Sequence, residues 1–323
     1  MKRAITLLGL VLVVQIVAVA VLWAHRMGSP TAASDQGPLL SFDRNAVDRI
    51  NLVDGDGHSL EIDRKKGKWV VPAADGFPAD GSKVKQLLTT LDSLKKGVPV
   101  AVSGDSRRRL QVGDDHFERR IRLKAGGDTV ATVLLGDSAG ARRLYARSSG
   151  ADAIYAVRFG LWEAAPKAKK WLDMSVAGVD PSTVDRADLK GYKLVRKKDD
   201  WMLSTGDGKT EKADSGDAAT LVTQLARPDV SDVTRAGTTA RQDAVYRYTL
   251  DLHSGKHVTF SFYPGNGKDS LYLERDDQPW RYTVASKALS RVRKTDPHSL
   301  VAKGGKADAT AGGGKGDAAS GHG

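Results

Sequence analysis

The chain has 323 residues, with 50 Lys or Arg against 39 Asp or Glu, a formal net charge of +11 and no cysteine. That length gives room for two domains of ordinary size, at roughly 150 residues each. The missing cysteine excludes disulfides, a cysteine nucleophile and a lipid-modified cysteine, and the positive balance favours anionic partners.

Met1-Lys2-Arg3 is a short basic start, and from Ala4 to Trp23 only Thr6, Gly9 and Gln15 interrupt an apolar run. About 20 apolar residues at 1.5 Å rise each span the ~30 Å hydrocarbon core of a bilayer. Residues 1–26 are therefore predicted to be an uncleaved transmembrane anchor, with Trp23 at the interface and Lys2 and Arg3 holding the N-terminus in the cytoplasm. The rival reading is a cleaved signal peptide. Its apolar region is normally only ~7–15 residues, and Thr31-Ala32-Ala33 lies well past the run. Residues 27–38 are rich in Ser, Ala, Gly and Pro and read as a flexible stalk.

A first module is predicted over 39–173. Ile50 and Leu52, Leu60 and Ile62, then Trp69 and Val71 alternate with polar residues, as half-buried strands do. Asp54-Gly55-Asp56-Gly57 suits a hairpin turn between the first two. Val84, Leu87, Leu88 and Leu91 then fall at i, i+3, i+4 and i+7, one face of a helix over 81–94, with Asp80 placed as its N-cap. Ile121 and Leu123, Val133 and Leu135, Leu144, and Ile154 to Val157 mark further strands. Residues 159–172 read as helical with a break at Pro166.

The second module is predicted over 174–294. Its strands centre on Leu194, Trp201, Leu250, Phe260, Leu271 and Tyr282, and a closing helix is expected over 285–294. From Thr295 to 323 the chain is rich in Gly, Ala and Lys. It holds too little apolar surface to offset the entropy of ordering, so a disordered tail is expected there.

The two modules read as one sequence written twice. Arg64-Lys65-Lys66-Gly67-Lys68-Trp69 returns as Arg196-Lys197-Lys198-Asp199-Asp200-Trp201. Val47-Asp48-Arg49 matches Val184-Asp185-Arg186, Ala79-Asp80 matches Ala213-Asp214, and Leu87 matches Leu221. Further on, Leu123 pairs with Leu250, Val133 with Phe260, Leu135 with Phe262, and Tyr155 with Tyr282. Trp69, Trp201, Leu87, Leu221, Tyr155 and Tyr282 are accordingly expected as equivalent core residues. Ligand stacking is the alternative role for the two Trp. The fold class that follows is α+β: an N-terminal transmembrane helix, then two tandem related modules, each a mainly antiparallel sheet with packed helices.

Chemical motifs are scarce. Gly208-Lys209-Thr210 ends like a phosphate loop, but Leu203 stands where the first Gly is required. Asp54-x-Asp56 opens like a calcium loop, yet His58 and Ser59 replace the next ligand and the central Gly, which leaves a plain turn. His253 and His257 flank a hairpin turn with no third ligand in view. The chain is therefore expected to be non-enzymatic, with no cofactor and no metal. Between Asp105 and Asp173 there are 14 Arg or Lys against 9 Asp or Glu. Arg107, Arg108, Arg119, Arg120 and Arg142, read as lying on loops and strand edges, form a predicted docking face for an acidic protein or anionic membrane. The alternative is a scattered solvated surface. An extracytoplasmic domain meets little nucleic acid, so none is expected as partner.

The ordered part resembles the domain-of-unknown-function family numbered 4340. The resemblance rests on the strand pair around Ile50 and Leu60, Trp69, Ala79-Asp80 with its Leu-rich helix, and Leu134-Leu135-Gly136. It continues through Leu144-Tyr145-x-Arg147, Ile154-Tyr155-x-Val157, Trp171-Leu172-Asp173, Val184 and Trp201. The resemblance implies a single-pass inner-membrane protein with the bulk of the chain periplasmic. It also implies an accessory or scaffold role beside an ABC-type permease of the gliding-motility or auxiliary-transport kind, and it supplies no catalytic residues. An independent envelope glycan- or lipid-binding module is the alternative.

Overall fold

The computed structural model describes residues 37–237 and 243–302. The expected anchor, 1–26, lies outside the described residues, as do most of the stalk and residues 303–323. Among the described residues no helix is long and apolar enough to cross a membrane. The chain divides into two compact units between Asp173 and Met174.

In the first unit four strands, β1 (Arg49–Asp54), β2 (Ser59–Lys65), β3 (Lys68–Val71) and β4 (Phe77–Pro78), run in a meander. Helices α1 (Gly81–Asp92) and α2 (Gly104–Arg109) follow, then β5 (Arg119–Ala125), β6 (Asp128–Ser138), β7 (Leu144–Ser148) and β8 (Tyr155–Val157). The second meander attaches to the free side of β1, giving the order β4-β3-β2-β1-β5-β6-β7-β8. Every pairing is antiparallel. Register puts Ile50 opposite Ile62 and Leu123, and Leu52 opposite Leu60 and Ile121, so one sheet face is a continuous apolar layer. Helix α1 buries Val84, Leu87, Leu88 and Leu91, and the Asp80 carboxylate accepts from the backbone N–H groups of Ser82 and Lys83. That cap satisfies two of the four donors a helix start leaves free.

The opposite face carries a smaller core of Val112, Leu134 and Ile154. Arg147, on β7, is fully buried there. Its Nε donates to the Val112 carbonyl at 2.7 Å, Nη1 to the Ala151 carbonyl at 3.0 Å and Nη2 to Asp114 at 2.8 Å. Residues 110–114, which Arg147 ties down, form a strap across this face, and Gly136 lies under it: a Cβ there would strike the carbonyl oxygens of Leu110 and Gln111.

The second unit repeats the plan with β9 (Val184–Leu189), β10 (Tyr192–Lys197), β11 (Asp200–Thr205), β12 (Thr210–Lys212) and α3 (Ser215–Ala226). Then come β13 (Val230–Arg235), β14 (Tyr246–Leu252), β15 (His257–Pro264), β16 (Ser270–Arg275), β17 (Trp280–Ala285) and α4 (Ser286–Lys294). Its sheet order, β12-β11-β10-β9-β14-β15-β16-β17-β13, is that of the first unit with β13 added at one edge. Trp69 pairs with Arg64 and Trp201 with Arg196, each on the third strand of its unit. The carbonyls of the two Trp accept from Ala79 and Ala213, whose next residues are the helix caps Asp80 and Asp214. Lys66 (φ 49°) and Gly67 (φ 80°) make the tight turn before Trp69, and Lys198 (φ 56°) opens the one before Trp201.

Four sequence expectations need correction. Residues 159–172 are not a broken α-helix but two short 3₁₀ turns, Leu161–Ala164 and Ala168–Lys170. Pro166 forces Ala165 into extended backbone (φ −66°, ψ 129°), and neither side is long enough to nucleate a helix. The tail does not begin at Thr295. A 3₁₀ turn over Pro297–Leu300 buries Leu300, and the Leu300 carbonyl accepts from the cap residue Asp214, as that of Trp171 does from Asp80. Residues 107–109 are helical rather than looped, with Ser103 capping α2. Trp69, on the four-residue β3, is only half-buried, whereas Trp201, on the six-residue β11 with the Arg196 guanidinium 4.9 Å over its ring, is buried, as are Leu87, Leu221, Tyr155 and Tyr282.

Candidate functional site

The first unit holds a cleft of about 830 Å³ beside α1, where β1 ends and β5 begins. Leu87 and Gln86 of α1 form one side, Asp54 and Arg119 the sheet side, and the two 3₁₀ turns the rest. Leu161, Trp162, Ala165, Pro166 and Trp171 make much of the wall apolar, while Lys83, Lys167 and Lys170 add cations. A concave, mostly apolar site with a few convergent polar groups is the usual form of a small-molecule pocket.

The two Trp behave differently. Trp171 is buried and its Nε1 donates to the Ala165 carbonyl at 2.8 Å, which locks the turn around Pro166. Trp162 leaves 81% of its surface exposed. Its indole lies over Gly160, and any Cβ at that position would collide with the ring. Glu163, next to it, is already engaged, accepting from the Gly160 N–H at 3.0 Å and the Thr90 hydroxyl at 3.5 Å.

Among the described residues, Arg119 is the only guanidinium in the cleft wall. Its side chain is 11% exposed and its Nη1 stands 3.6 Å from Asp54. Nε and Nη1 are buried and make no hydrogen bond among the described residues. Burial pulls the guanidinium below its ordinary pKa, against the opposite pull of Asp54 and Glu118. Burial pushes the Asp54 carboxyl up. Hydrogen bonds and charge from His58, with the charge of Arg119, outweigh that and hold it below the usual carboxylate range. Asp54 is thus committed to His58, whose N–H it accepts at 2.8 Å.

The five arginines expected as one docking face do not share one. Arg119 and Arg120 are neighbours on an interior strand, so their side chains leave opposite faces of the sheet. Arg119 enters the cleft, and Arg120 lies 4.8 Å over the Phe117 ring. Arg107 pairs with Asp152 and, with Arg108, lines a separate hollow alongside Asp105, Asp114 and Asp115. Arg142 sits on the β6–β7 loop with φ 56°. Of the residues singled out from sequence, Arg119, Leu87, Asp54, Pro166 and Trp171 line the cleft, though only Arg119 was named for binding; Trp162, Lys83, Lys167 and Lys170 were missed. For Trp162, Lys167 and Lys170 the only sequence signal was the density of Trp and Lys around Pro166.

The turn Asp54, Asp56, His58 brings three ligand-type atoms within 4.8 Å of one another. Local hydrogen bonds of Asp54 to His58 account for the arrangement. His253 and His257, expected to flank a turn, are each paired with their own carboxylate, Asp185 and Asp251 at 2.6 Å or less.

A family model described as domain of unknown function DUF4340 matches residues 69–252, more than half of the chain and parts of both units. No curated protein and no solved structure matches.

Proposed function

The chain belongs to the DUF4340 family, and from that premise we propose that it is a non-enzymatic, membrane-anchored accessory or scaffold protein of an ABC-type envelope transport system. The observation that carries this reading is the order of parts. A largely apolar stretch from Ala4 to Trp23 is followed by two units that share an eight-strand order, with one strand added in the second. On this reading residues 1–26 anchor the chain in the inner membrane and the two units lie outside the cytoplasm. Affinity purification of the full-length protein from membranes tests it. Co-purification of a permease or ATPase is the expected result, and repeated recovery of the chain alone refutes it.

A second reading, an envelope glycan- or lipid-binding module, is favoured by one observation: the Trp162-walled cleft with Arg119 at its sheet side. Retention of the purified protein on envelope lipid or glycan, independent of any transporter subunit, is what this reading expects.

A further inference from the structure

We propose that the cleft of the first unit binds an anionic amphiphile: a carboxylate or phosphate group held by Arg119, with an acyl or ring body lying along Leu87, Leu161, Trp162 and Trp171. This deepens the ligand-binding reading above and stands with or without a transporter.

Three observations carry it. First, the wall combines an apolar set, Leu87, Leu161, Trp162, Ala165, Pro166 and Trp171, with the cations Arg119, Lys83, Lys167 and Lys170. An uncharged apolar guest would leave the cations unanswered, and a small inorganic anion would leave the wall empty. Second, the charges sort by availability. Asp54 is committed to His58, Glu163 to the Gly160 N–H, and Lys83 to Asp80 at 3.4 Å and the Lys170 carbonyl at 3.2 Å. Arg119 has the Asp54 carboxylate at 3.6 Å, too long for a hydrogen bond, and among the described residues its buried Nε and Nη1 make none. Buried donors left unmet are costly and rare in folded proteins, and a guanidinium matches carboxylate and phosphate better than an ammonium does.

Third, the duplication supplies an internal comparison. Arg119 pairs with Leu135, and Tyr246 with Phe262, at matching places of the two sheets. Ile50 faces Leu123 as Ala187 faces Leu250, so four residues on, Asp54 at the end of β1 corresponds to Gly191 in the turn that follows β9. At the matching place in the second unit, Gly191, Tyr192 and Tyr246 line a hollow of about 320 Å³, smaller than the cleft; its cations, Lys190 and Arg293, come from the β9–β10 turn and from α4, not from an Asp–Arg pair on the sheet. A feature needed only for folding would be expected in both copies; the Asp–Arg pair and the exposed Trp belong to one.

The test is calorimetric titration of full-length protein in zwitterionic-lipid nanodiscs, with empty discs subtracted. The probes are octanoate, octyl phosphate, 1-octanol and inorganic phosphate. Octanoate and octyl phosphate should bind at least tenfold more tightly than octanol or inorganic phosphate. Arg119→Gln should weaken both charged probes about tenfold or more and leave octanol unchanged. Trp162→Ala, a change at an exposed site, should weaken charged and neutral amphiphiles alike. It serves as the independent variant if Arg119→Gln unfolds. Competition of octanoate by phosphatidylglycerol vesicles, lost in Arg119→Gln, would identify the source as a membrane lipid; octanoate binding that vesicles do not displace would identify a free ligand. No octanoate binding, binding that both variants preserve, or equal binding of inorganic phosphate each overturns the proposal. Retention on a neutral envelope glycan without octanoate binding overturns it while leaving the broader ligand-binding reading intact.

Discussion

Arg147→Ala should be among the most damaging single changes in the first unit. The side chain is fully buried and ties three points together: the Val112 carbonyl, the Ala151 carbonyl and Asp114. Asp114 is 67% exposed, so its ion pair is screened by water and contributes only ~0–1 kcal/mol. The two carbonyls matter more. Truncation leaves them without their donor, at roughly 1–3 kcal/mol each where water cannot reach, and opens a cavity besides. A total of about 3–5 kcal/mol is expected, the range seen when one member of a buried charged network is removed. Arg147→Met keeps most of the volume and loses the bonds, so about 2–4 kcal/mol is expected; Asp114→Asn should lose under ~1 kcal/mol. Urea unfolding followed by far-UV circular dichroism measures each, fitted with separate transitions for the two units. If Arg147→Ala loses less than ~1 kcal/mol, the arginine is not the tie that its geometry indicates and the strap is held by its apolar contacts alone.

Trp201→Ala should destabilise the second unit by ~3–5 kcal/mol, since the ring is buried beneath Arg196 at 4.9 Å. Trp69→Ala, at a half-buried site, should lose only ~1–2 kcal/mol, and equal losses in parallel urea titrations would contradict the difference in burial. Gly136→Ala should lose ~1–3 kcal/mol or more in the same assay, because the new methyl meets two backbone carbonyls that cannot rotate away. Asp80 titrates usefully. Burial raises its carboxyl pKa, but hydrogen bonds from Ser82 and Lys83 and the Lys83 charge outweigh that and hold it below the ordinary value. A pKa depressed in the folded state means stability present above the unfolded value, ~3.9, and lost as pH falls through the folded one. Asp80→Asn should keep most of the cap and remove that part of the acid sensitivity, read as midpoint against pH; an unchanged acid limb would assign the loss to other carboxylates.

Periodicity made α1, α3 and most strands legible, because each buries one stripe against one sheet. Val84 to Leu91 and Ala218 to Leu225 could hardly have been read otherwise. Strand order was not legible: nothing local says that β5 joins the free side of β1, since that pairing closes across 65 residues of chain between Asp54 and Arg119. The arginines were misread for a related reason. Clusters in sequence are not clusters in space on a strand, where Arg119 and Arg120 must part. The cleft was hidden because its walls come from four separate stretches, 54, 83–87, 119 and 161–171, and become neighbours only once the sheet is assembled. The turns over 161–170 carry no helix or strand period to read, although they hold both Trp of the site.

The comparison between the units yields one more prediction, on folding rather than on binding. Both units keep what assembly requires: the Trp hairpin, the Asp cap, the apolar stripe of the helix and the returning segment whose carbonyl meets the cap. They differ at one end of the sheet, where Arg119 opposite Leu135 in one unit is replaced by Tyr246 opposite Phe262 in the other. The first-unit scaffold should therefore accept Arg119→Tyr. The variant removes a buried cation with two unsatisfied nitrogens and places an aromatic ring against Leu87 and Trp171, so gain and loss should nearly cancel, within about 1 kcal/mol. The urea midpoint of the first-unit transition reads this directly. A loss of ~3 kcal/mol or more would mean that Asp54 needs Arg119 to remain folded. The pair would then be structural, and its restriction to one unit would follow from the different course of the chain after β8 rather than from a ligand.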